Sequence, residues 1–296
     1  MINYTIIIPH YKSLDTLPRL LSSIPDRHDI QVVVIDDNSG LKKDDFKSLP
    51  SFFDANFSII FLSENKGAGS ARNEGIKIAN GKWLIFADSD DYFAQNAFQN
   101  FDTFLNDDSD IVYFRTESVD LNNDINPTRG NYYNQLVEHY SPDDIKSVEK
   151  LRFNHGVPWS KMVKKELVTF NNIKFDTIKY SNDVMFSTKI GYYARKIKAS
   201  NHIVYCVNNN GSGLTSNRSK EALLCRYETA LRQNKFLRDI GKSTYQKSIM
   251  SYLRLSLHYG IPTLIQFIKM GINIDADFSV GMFHWHEYLI RKIQSK

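Results

Sequence analysis

Only two cysteines, Cys206 and Cys225, occur among the 296 residues. Two thiols at that spacing make neither a metal-ligand set nor a disulfide framework, so a reducing compartment is expected. The histidines do not gather either: His284 and His286 stand i, i+2, a poor pairing on a helix, and no zinc is assigned. Long apolar runs are missing. No stretch reaches the ~18 residues that a spanning helix needs. The first residues lack a basic segment ahead of a long apolar core, so they do not read as a secretory leader. Repeats and low-complexity segments are absent as well. The net charge of +4 gives no case for nucleic acid as a partner. That charge is unevenly placed: after Asn217 there are 13 Lys and Arg against 6 Asp and Glu, which leaves the preceding 217 residues at −3. A basic tail on a mildly acidic body suits an anionic surface (a membrane or a pyrophosphate lipid), or is simply a set of solvated helices.

What the chain does have is an acidic cluster after an apolar run. Residues 81–93 read GKWLIFADSDDYF: a Gly turn, a short apolar segment, then Asp88, Ser89, Asp90 and Asp91. A run of that length bounded by polar residues is a buried strand. Side chains two apart in an extended chain share a face, so Asp88 and Asp90 point the same way. Such a pair suits a hard divalent cation that also carries substrate phosphates. From these residues alone a solvated acidic turn capping the next helix fits equally well.

The first 115 residues repeat this pattern. Strands are expected at 5–8, 30–35, 58–62, 83–86 and 111–114, with helices at 13–24, 69–79 and 94–105 between most of them. Continuous apolar strands alternating with helices indicate an α/β fold, a mostly parallel sheet covered on both faces. In such sheets ligands bind beyond the carboxyl ends of the strands, which puts Pro9-His10-Tyr11, residues 36–39 and residues 88–91 on one rim. Between them runs a glycine loop, Asn65 to Gly75, whose helix-starting amides suit an anion. It is not a dinucleotide fingerprint, because Arg72 occupies the place of the third Gly. A guanidinium there fits a role facing phosphate or base, or else an ordinary ion pair. Further on, 120–134 reads as a loop or hairpin, 142–150 and 164–170 as helices joined by 157–162, 183–194 as an amphipathic helix, and 203–207 as a strand. Residues 208–213 form a glycine- and asparagine-rich loop expected to be flexible. From Lys220 on, helices are expected, broken at Gly241, 260–262 and Gly271. Three regions follow: 1–115, 116–217, and 218–296 as a basic helical extension.

Four of these clusters, in this order, resemble the inverting glycosyltransferases of family 2, which have the GT-A fold. They are IIIPHY (6–11), VVVIDDNS (32–39), NKGAGSARNEGI (65–76) and WLIFADSDD (83–91). The likeness is close over residues 4–95, looser over 155–215, and does not reach the last eighty residues. It implies transfer of a hexosyl or N-acetylhexosaminyl group from a nucleotide diphosphate donor, usually a UDP-sugar, to an acceptor hydroxyl. By that resemblance Pro9 and Tyr11 line the nucleotide base, Asp37 accepts a hydrogen bond from it, and Arg72 contacts the donor nearby. Asn65 and Gly67 belong to the same donor loop. Asp88 touches the ribose close to the metal, and Asp90 ligates it, with Mn²⁺ or Mg²⁺ as the ion. The catalytic base corresponds to Asp183, with Asn182 where the family usually has Glu; the same Asp would equally serve as a helix cap. Trp159, in VPWSKM (157–162), stands where an acceptor sugar would stack, or is a core ring. Two departures are Lys12, where Asn is common, and the loop 208–215, which keeps Ser212 and Thr215 but lacks a basic residue; that loop is expected to close over donor.

The resemblance therefore implies a metal-dependent enzyme of surface polysaccharide assembly, cytoplasmic or at the inner face of the cell membrane. Its acceptor would be a saccharide, lipid-linked through pyrophosphate, reached through the basic tail with patches such as Phe283-His284-Trp285 and Leu289-Ile290. A sugar-nucleotide pyrophosphorylase is the alternative enzyme, but would carry a glycine-rich basic loop after the first strand, where this chain has Pro9-His10-Tyr11. A non-catalytic nucleotide-sugar-binding module is the other alternative; it would be favoured by loss of Asp90 or Asp183, and both are present.

Overall fold

The computed structural model describes residues 1–50, 55–119, 129–208 and 216–280. It divides into two compact units, Met1–Gly213 and Leu214–Lys296. The first is built on a sheet of eight strands: β1 (Tyr4–His10), β2 (Ile30–Asp36), β3 (Phe57–Phe61), β4 (Trp83–Phe86), β5 (Tyr92–Phe93), β6 (Ile111–Val119), β7 (Lys161–Lys164) and β8 (Ile197–Asn208). Their spatial order is β3-β2-β1-β4-β7-β6-β8-β5.

Alternate residues of β1, β2 and β4 enter different cores, which is why these strands read as unbroken apolar runs. Ile6 and Ile8 of β1, Val32 and Val34 of β2, and Trp83 and Ile85 of β4 face one cluster. Ile7, Val33, Ile35, Leu84 and Phe86 face the other. Helices α1 (Leu17–Ser22) and α3 (Ala97–Asp102) cover the first face with Leu17, Leu20, Leu21, Phe98 and Phe101. The second face is covered by α2 (Ala68–Ile78), α4 (Asn131–Glu138), α5 (Ile145–Asn154), α6 (Lys165–Phe170) and α7 (Val184–Tyr193).

β1 pairs in parallel with both β2 and β4, and β2 with β3. The chain thus travels outward to β3 and then returns across β1 to lay down β4. That reversal leaves a crevice beyond the carboxyl ends of β1 and β4, where open α/β sheets hold ligands. β7 then runs antiparallel against β4, with Met162 opposite Ile85, so the residues that enter β7 arrive at the same rim.

Several expectations need correction. Residues 131–134, expected in a loop, form the first turn of α4, and 120–128 lie outside the described residues. The segment 157–162 is more than a connection between helices: its end is β7, a strand flanked by β4 and β6. The last strand begins at Ile197 rather than 203, because Ile111 to Phe114 of β6 pair with Ile197 to Ser200 before a register shift. Two-residue β5, with no apolar run of its own, went unanticipated. The flexibility expected of 208–213, and the roles of Ser212 and Thr215, fall outside the described residues apart from Asn208.

The second unit holds α8 (Lys220–Asp239), α9 (Met250–Ser256) and α10 (Ile261–Asn273). Ser219 caps α8 by accepting from Ala222 N at 3.2 Å. Tyr227 of α8 stacks on Phe267 of α10 at 4.5 Å, with Leu223, Leu231, Ile249 and Leu253 around them. Gly271 does not break α10. It lies within the helix, and Phe278 packs so close that a Cβ there would sit 2.5 Å from its ring. Among the described residues no helix is long and apolar enough to cross a membrane. The patches at 283–285 and 289–290 lie outside the described residues.

Candidate functional site

The rim at the β1–β4 crevice is assembled by loops whose backbone is held in costly conformations. Lys12 after β1 (φ 52°), Asn38 after β2 (φ 58°), Ser160 ahead of β7 (φ 54°) and Ser181 ahead of α7 (φ 58°) all adopt left-handed backbone. Non-Gly residues in that region cost of order 1–3 kcal/mol each and persist where surroundings over-determine them. Here the surroundings are hydrogen bonds among the loops. Lys12 N donates to Ser39 Oγ at 2.8 Å. Ser13 Oγ and Ser89 Oγ meet at 2.8 Å, joining the loop after β1 to the acidic turn after β4.

Pro9 is buried in β1, whereas Tyr11 just beyond it is 48% exposed, open to stack on a planar ligand. Between them lies a pair that sequence reasoning passed over. His10 faces Asp36 across the β1–β2 register, and its Nδ1 stands 2.7 Å from Asp36 Oδ1, both fully buried. His10 Nε2 accepts from Ser13 N at 3.3 Å, so the ring proton is on Nδ1 and donates to Asp36. The pair fixes the exit of both strands. Its signal was available: both residues lie in the quoted motifs at the ends of their strands, and parallel neighbours bring them level.

Asp37 is buried and grips the glycine loop. Its Oδ1 accepts from Lys66 N at 2.9 Å and its Oδ2 from Gly67 N at 2.7 Å. Asn65 returns a bond to Asp37 O at 3.0 Å. Gly67 has φ 84°, which only Gly adopts without cost, and it starts α2. Two residues on, a Cβ at Gly69 would lie 2.0 Å from Asp176 O, so the absent side chain lets α2 press against the segment that leads to α7.

Arg72, one turn into α2, is 5% exposed and forks between two elements. It donates to Asp88 Oδ1 at 2.5 Å and to Asn182 Oδ1 at 2.9 Å. Its guanidinium also lies 5.3 Å from the centre of the Phe175 ring. One cation therefore joins the acidic turn to the residue before Asp183. Phe175 in turn stacks on Phe186 of α7 at 3.8 Å, and both pack on Phe86 of β4. Truncating a ring of this kind typically costs about 3–5 kcal/mol, so the platform that carries Asp183 is stiff.

The acidic turn is braced from β8. Asp88 N donates to Tyr205 Oη at 2.8 Å. Asn208 N donates to Asp91 Oδ1 at 2.7 Å, and Asn208 Nδ2 to Asp90 O at 3.2 Å. Burial first, then the neighbouring Asp88 charge, raises the Asp90 pKa. Asp91 is 1% exposed, its Oδ2 has no hydrogen-bond partner among the described residues, and burial pushes its pKa well up, with Asp90 and Asp88 adding to the rise. Carboxylates crowded this closely have an excess of negative charge that a cation would relieve. Among the described residues no three acidic, His or Cys side chains converge as a complete metal site. A cation held by Asp88 and Asp90 would thus need further oxygens from a substrate, which is how Mg²⁺-type ions bind phosphates.

Asp183 immediately precedes α7, yet its side chain makes no cap hydrogen bond. The carboxylate is not spent on capping the helix, which argues against a purely capping role. It is half-buried, and burial raises its pKa; Arg72 and Lys161 pull it back down while Asp88 pushes it up. Asn182 is buried and committed to Arg72. Trp159 is 2% exposed and stacked on Tyr205 at 5.9 Å, with Tyr133 edge-on at 5.2 Å. That is the position of a core ring, and no open face remains for the sugar stacking expected of it.

Comparison with known proteins gives a consistent picture. The profile described as Glycosyl transferase family 2 matches residues 5–168. EpsH of Bacillus subtilis (strain 168) is 25% identical over 239 residues, covering 76% of this chain and 66% of that protein. The poly(ribitol-phosphate) beta-glucosyltransferase of Bacillus spizizenii is 29% identical over 203 residues, 66% of this chain and 30% of its own length. The chain thus spans less than two thirds of the length of these relatives. Among solved structures, S. aureus TarS 1–349 in complex with UDP-GlcNAc superposes with TM-score 0.62 at 19% identity, covering 92% of this chain and 73% of that one. The Pyrobaculum calidifontis mannosyltransferase PcManGT, in complex with GDP-Man and Mn²⁺, gives TM-score 0.57 at 18% identity, covering 97% and 80%.

Proposed function

Because the chain belongs to glycosyl transferase family 2, we propose that it is an inverting glycosyltransferase, moving a sugar from a nucleotide diphosphate donor to a saccharide hydroxyl. The observation that carries this reading is the Arg72 fork, which holds Asp88 and Asn182 on one guanidinium and so brings the acidic turn and Asp183 to one site. Tyr11 stacks on the base, Pro9 lines it, and Asp37 keeps the glycine loop open beside it while its remaining lone pairs accept from a base N–H. Asn65 and Gly67 shape that loop. Asp88 and Asp90 would hold Mn²⁺ or Mg²⁺, which would supply Lewis-acid stabilisation of the charge on the leaving group. The acceptor oxygen bonds to the anomeric carbon as the bond from that carbon to the phosphate oxygen breaks. Asp183 takes the acceptor proton, and the electron pair leaves with the diphosphate.

A UDP-sugar is the preferred donor in this proposal. That TarS is solved with UDP-GlcNAc supports it, and PcManGT with GDP-Man is the contrasting case. Residues 1–115 serve the donor and 116–217 the acceptor. The acceptor is a growing surface polysaccharide carried on a lipid pyrophosphate, with the enzyme at the cytoplasmic membrane face. The exposed Ile261, Ile265 and Ile272 of α10, in the basic region after Asn217, support that last element.

The test is a thermal-shift series with UDP-, GDP- and dTDP-sugars, each with and without Mn²⁺. A ligand at 100 times its dissociation constant adds about 2.7 kcal/mol of stability. A UDP-sugar is expected to raise Tm only when metal is present, and the rise is expected to vanish in Asp90→Asn. Metal-independent stabilisation, or none from any nucleotide sugar, would sink the donor-site reading.

A further inference from the structure

The loops that carry Tyr11 and Asp37 leave the sheet from one buried polar pair. β1 ends at His10 and β2 at Asp36, and the parallel register sets the two level. Residues two apart in a strand share a side, so both side chains lie on the face of Ile8 and Val34. Phe46 closes over them, its buried ring edge-on to the imidazole at 5.3 Å and to Phe61 at 5.6 Å. A polar pair in apolar surroundings is rigid only when every member is satisfied. Here all four polar atoms are. His10 Nδ1 meets Asp36 Oδ1 at 2.7 Å, His10 Nε2 accepts from Ser13 N at 3.3 Å, and Asp36 Oδ2 accepts from Ser39 N at 2.9 Å.

These bonds close a ring through both loops. Ser39, held by Asp36, accepts from Lys12 N on its Oγ at 2.8 Å. On the backbone, Asp37 N donates to His10 O at 2.8 Å. Tyr11 is therefore tied on both sides, through His10 to Asp36 and through Lys12 to Ser39. Asp37 directly follows one member of the pair and bonds to the other. The left-handed residues of the two loops, Lys12 and Asn38, both lie within this ring. Backbone of that kind persists only where its surroundings over-determine it, and the ring supplies the bonds that do so.

We propose that His10 and Asp36 are positioning residues for the donor: their pairing holds the loops after β1 and β2 in the strained form that presents Tyr11 and Asp37 to one nucleotide base. The inference rests on the reading of Tyr11 and Asp37 as base contacts. Both members of the pair are buried, so they act through those two residues and not on the donor itself. No proton moves between them: the ring keeps its proton on Nδ1 as donor to Asp36, and Nε2 stays an acceptor. A loop already ordered in its bound form binds more tightly because the cost of ordering it has been met in folding. Losing that order removes binding common to ground and transition states, which raises donor KM and leaves kcat in place.

Three measurements on the full chain test this. In ¹⁵N NMR of the histidine side chains, one imidazole, absent from His10→Asn, is expected to carry its proton on Nδ1, the tautomer that a bond to Asp36 selects. Calorimetric titration with UDP then compares the wild type with His10→Phe and His10→Asn. Phe keeps a ring in the packing but leaves Asp36 unpaired, and UDP affinity should fall roughly tenfold, as for one buried hydrogen bond unmade. In slow hydrolysis of the UDP-sugar that thermal shift selects, the same variant should raise donor KM with kcat little changed. Asn keeps an N–H donor where Nδ1 stood and should recover most of the affinity. Asp36→Asn, which keeps an oxygen for His10 but loses the acceptor for Ser39 N, is the milder second variant and should weaken UDP in the same direction. The third measurement is a double-mutant cycle. Because His10 acts partly through Tyr11, adding His10→Phe to Tyr11→Ala should cost clearly less than it does alone. A His10 ring protonated on Nε2, additive losses in the cycle, or variants that lose stability while UDP affinity and donor KM stay at wild-type values overturn the proposal and leave the donor site standing. Should UDP fail to bind the wild type, or bind Tyr11→Ala equally well, the base-site reading fails and the proposal with it.

Discussion

Asp183→Asn is expected to lower kcat by about 10²–10⁴-fold, the usual contribution of a positioned general base, while the donor binds as before. The separation follows from the geometry. In the proposed site donor contacts come from the loops after β1, β2 and β4 and from α2, whereas the Asp183 side chain makes no cap hydrogen bond that its loss would break. Asn has nearly the same shape and cannot take a proton. The stability change has the opposite sign to the activity change. Burial raises the Asp183 pKa, so the folded state binds that proton more tightly than the unfolded chain does. The carboxyl's contribution to stability is therefore fully present below the ordinary carboxylate pKa and is lost as pH rises through the raised value. At neutral pH the Asn variant should be at least as stable as the wild type, and the difference should disappear on acidification. Urea midpoints at pH 7 and near pH 4, alongside steady-state rates and calorimetric donor titration, read all three effects. An inactive but destabilised variant would point to a structural role. Wild-type turnover should also fall on the acid side at a pH above the ordinary carboxylate range, because the base must be ionised.

Arg72→Met should be damaging in two ways at once. The guanidinium is almost fully buried and one arm of its fork reaches a residue 110 positions away in sequence. Removing one partner of a buried pair typically costs 3–5 kcal/mol. Asp88 keeps 27% side-chain exposure, so water offsets part of that loss and roughly 1–3 kcal/mol is expected. The catalytic effect is larger. With the fork gone, Asn182 no longer anchors the start of α7, and Asp183 loses a cation that pulls its pKa down. The acid limb of the pH–rate profile should then move to higher pH and kcat fall at least tenfold. Arg72→Lys retains the charge but reaches only one of the two acceptors, so it should restore the limb better than it restores kcat. A profile for Arg72→Met that matches wild type would show that the acidic turn and Asp183 work independently.

The α/β class was legible because β1, β2 and β4 are buried on both faces, and two-sided burial writes itself as an unbroken apolar run; the GT-A fold was implied only by the resemblance of the four motifs. The rim was legible for the same reason: polar residues directly after such strands must lie at their carboxyl ends, which is how Tyr11, Asp37 and Asp88 were located. The pairings around them were harder to see. β7 was hidden because it is four residues long with Lys at both ends, and its place between β4 and β6 is a long-range choice without local periodicity. Trp159 read as a plausible platform because an aromatic beside Pro looks alike in a groove and in a core. Only the Tyr205 ring from β8 decides between them. The bond between Arg72 and Asn182 could not be anticipated, since it depends on Gly69 allowing α2 and the segment before α7 to touch.

The central claim is a single displacement, with the acidic turn holding the diphosphate and Asp183 serving the opposite face of the sugar. Early-time NMR of slow donor hydrolysis, in which water replaces the acceptor, tests it without knowledge of the natural acceptor. From an α-linked nucleotide sugar the account predicts that the β-anomer of the free sugar forms first, before mutarotation. An α-anomer formed first would contradict it.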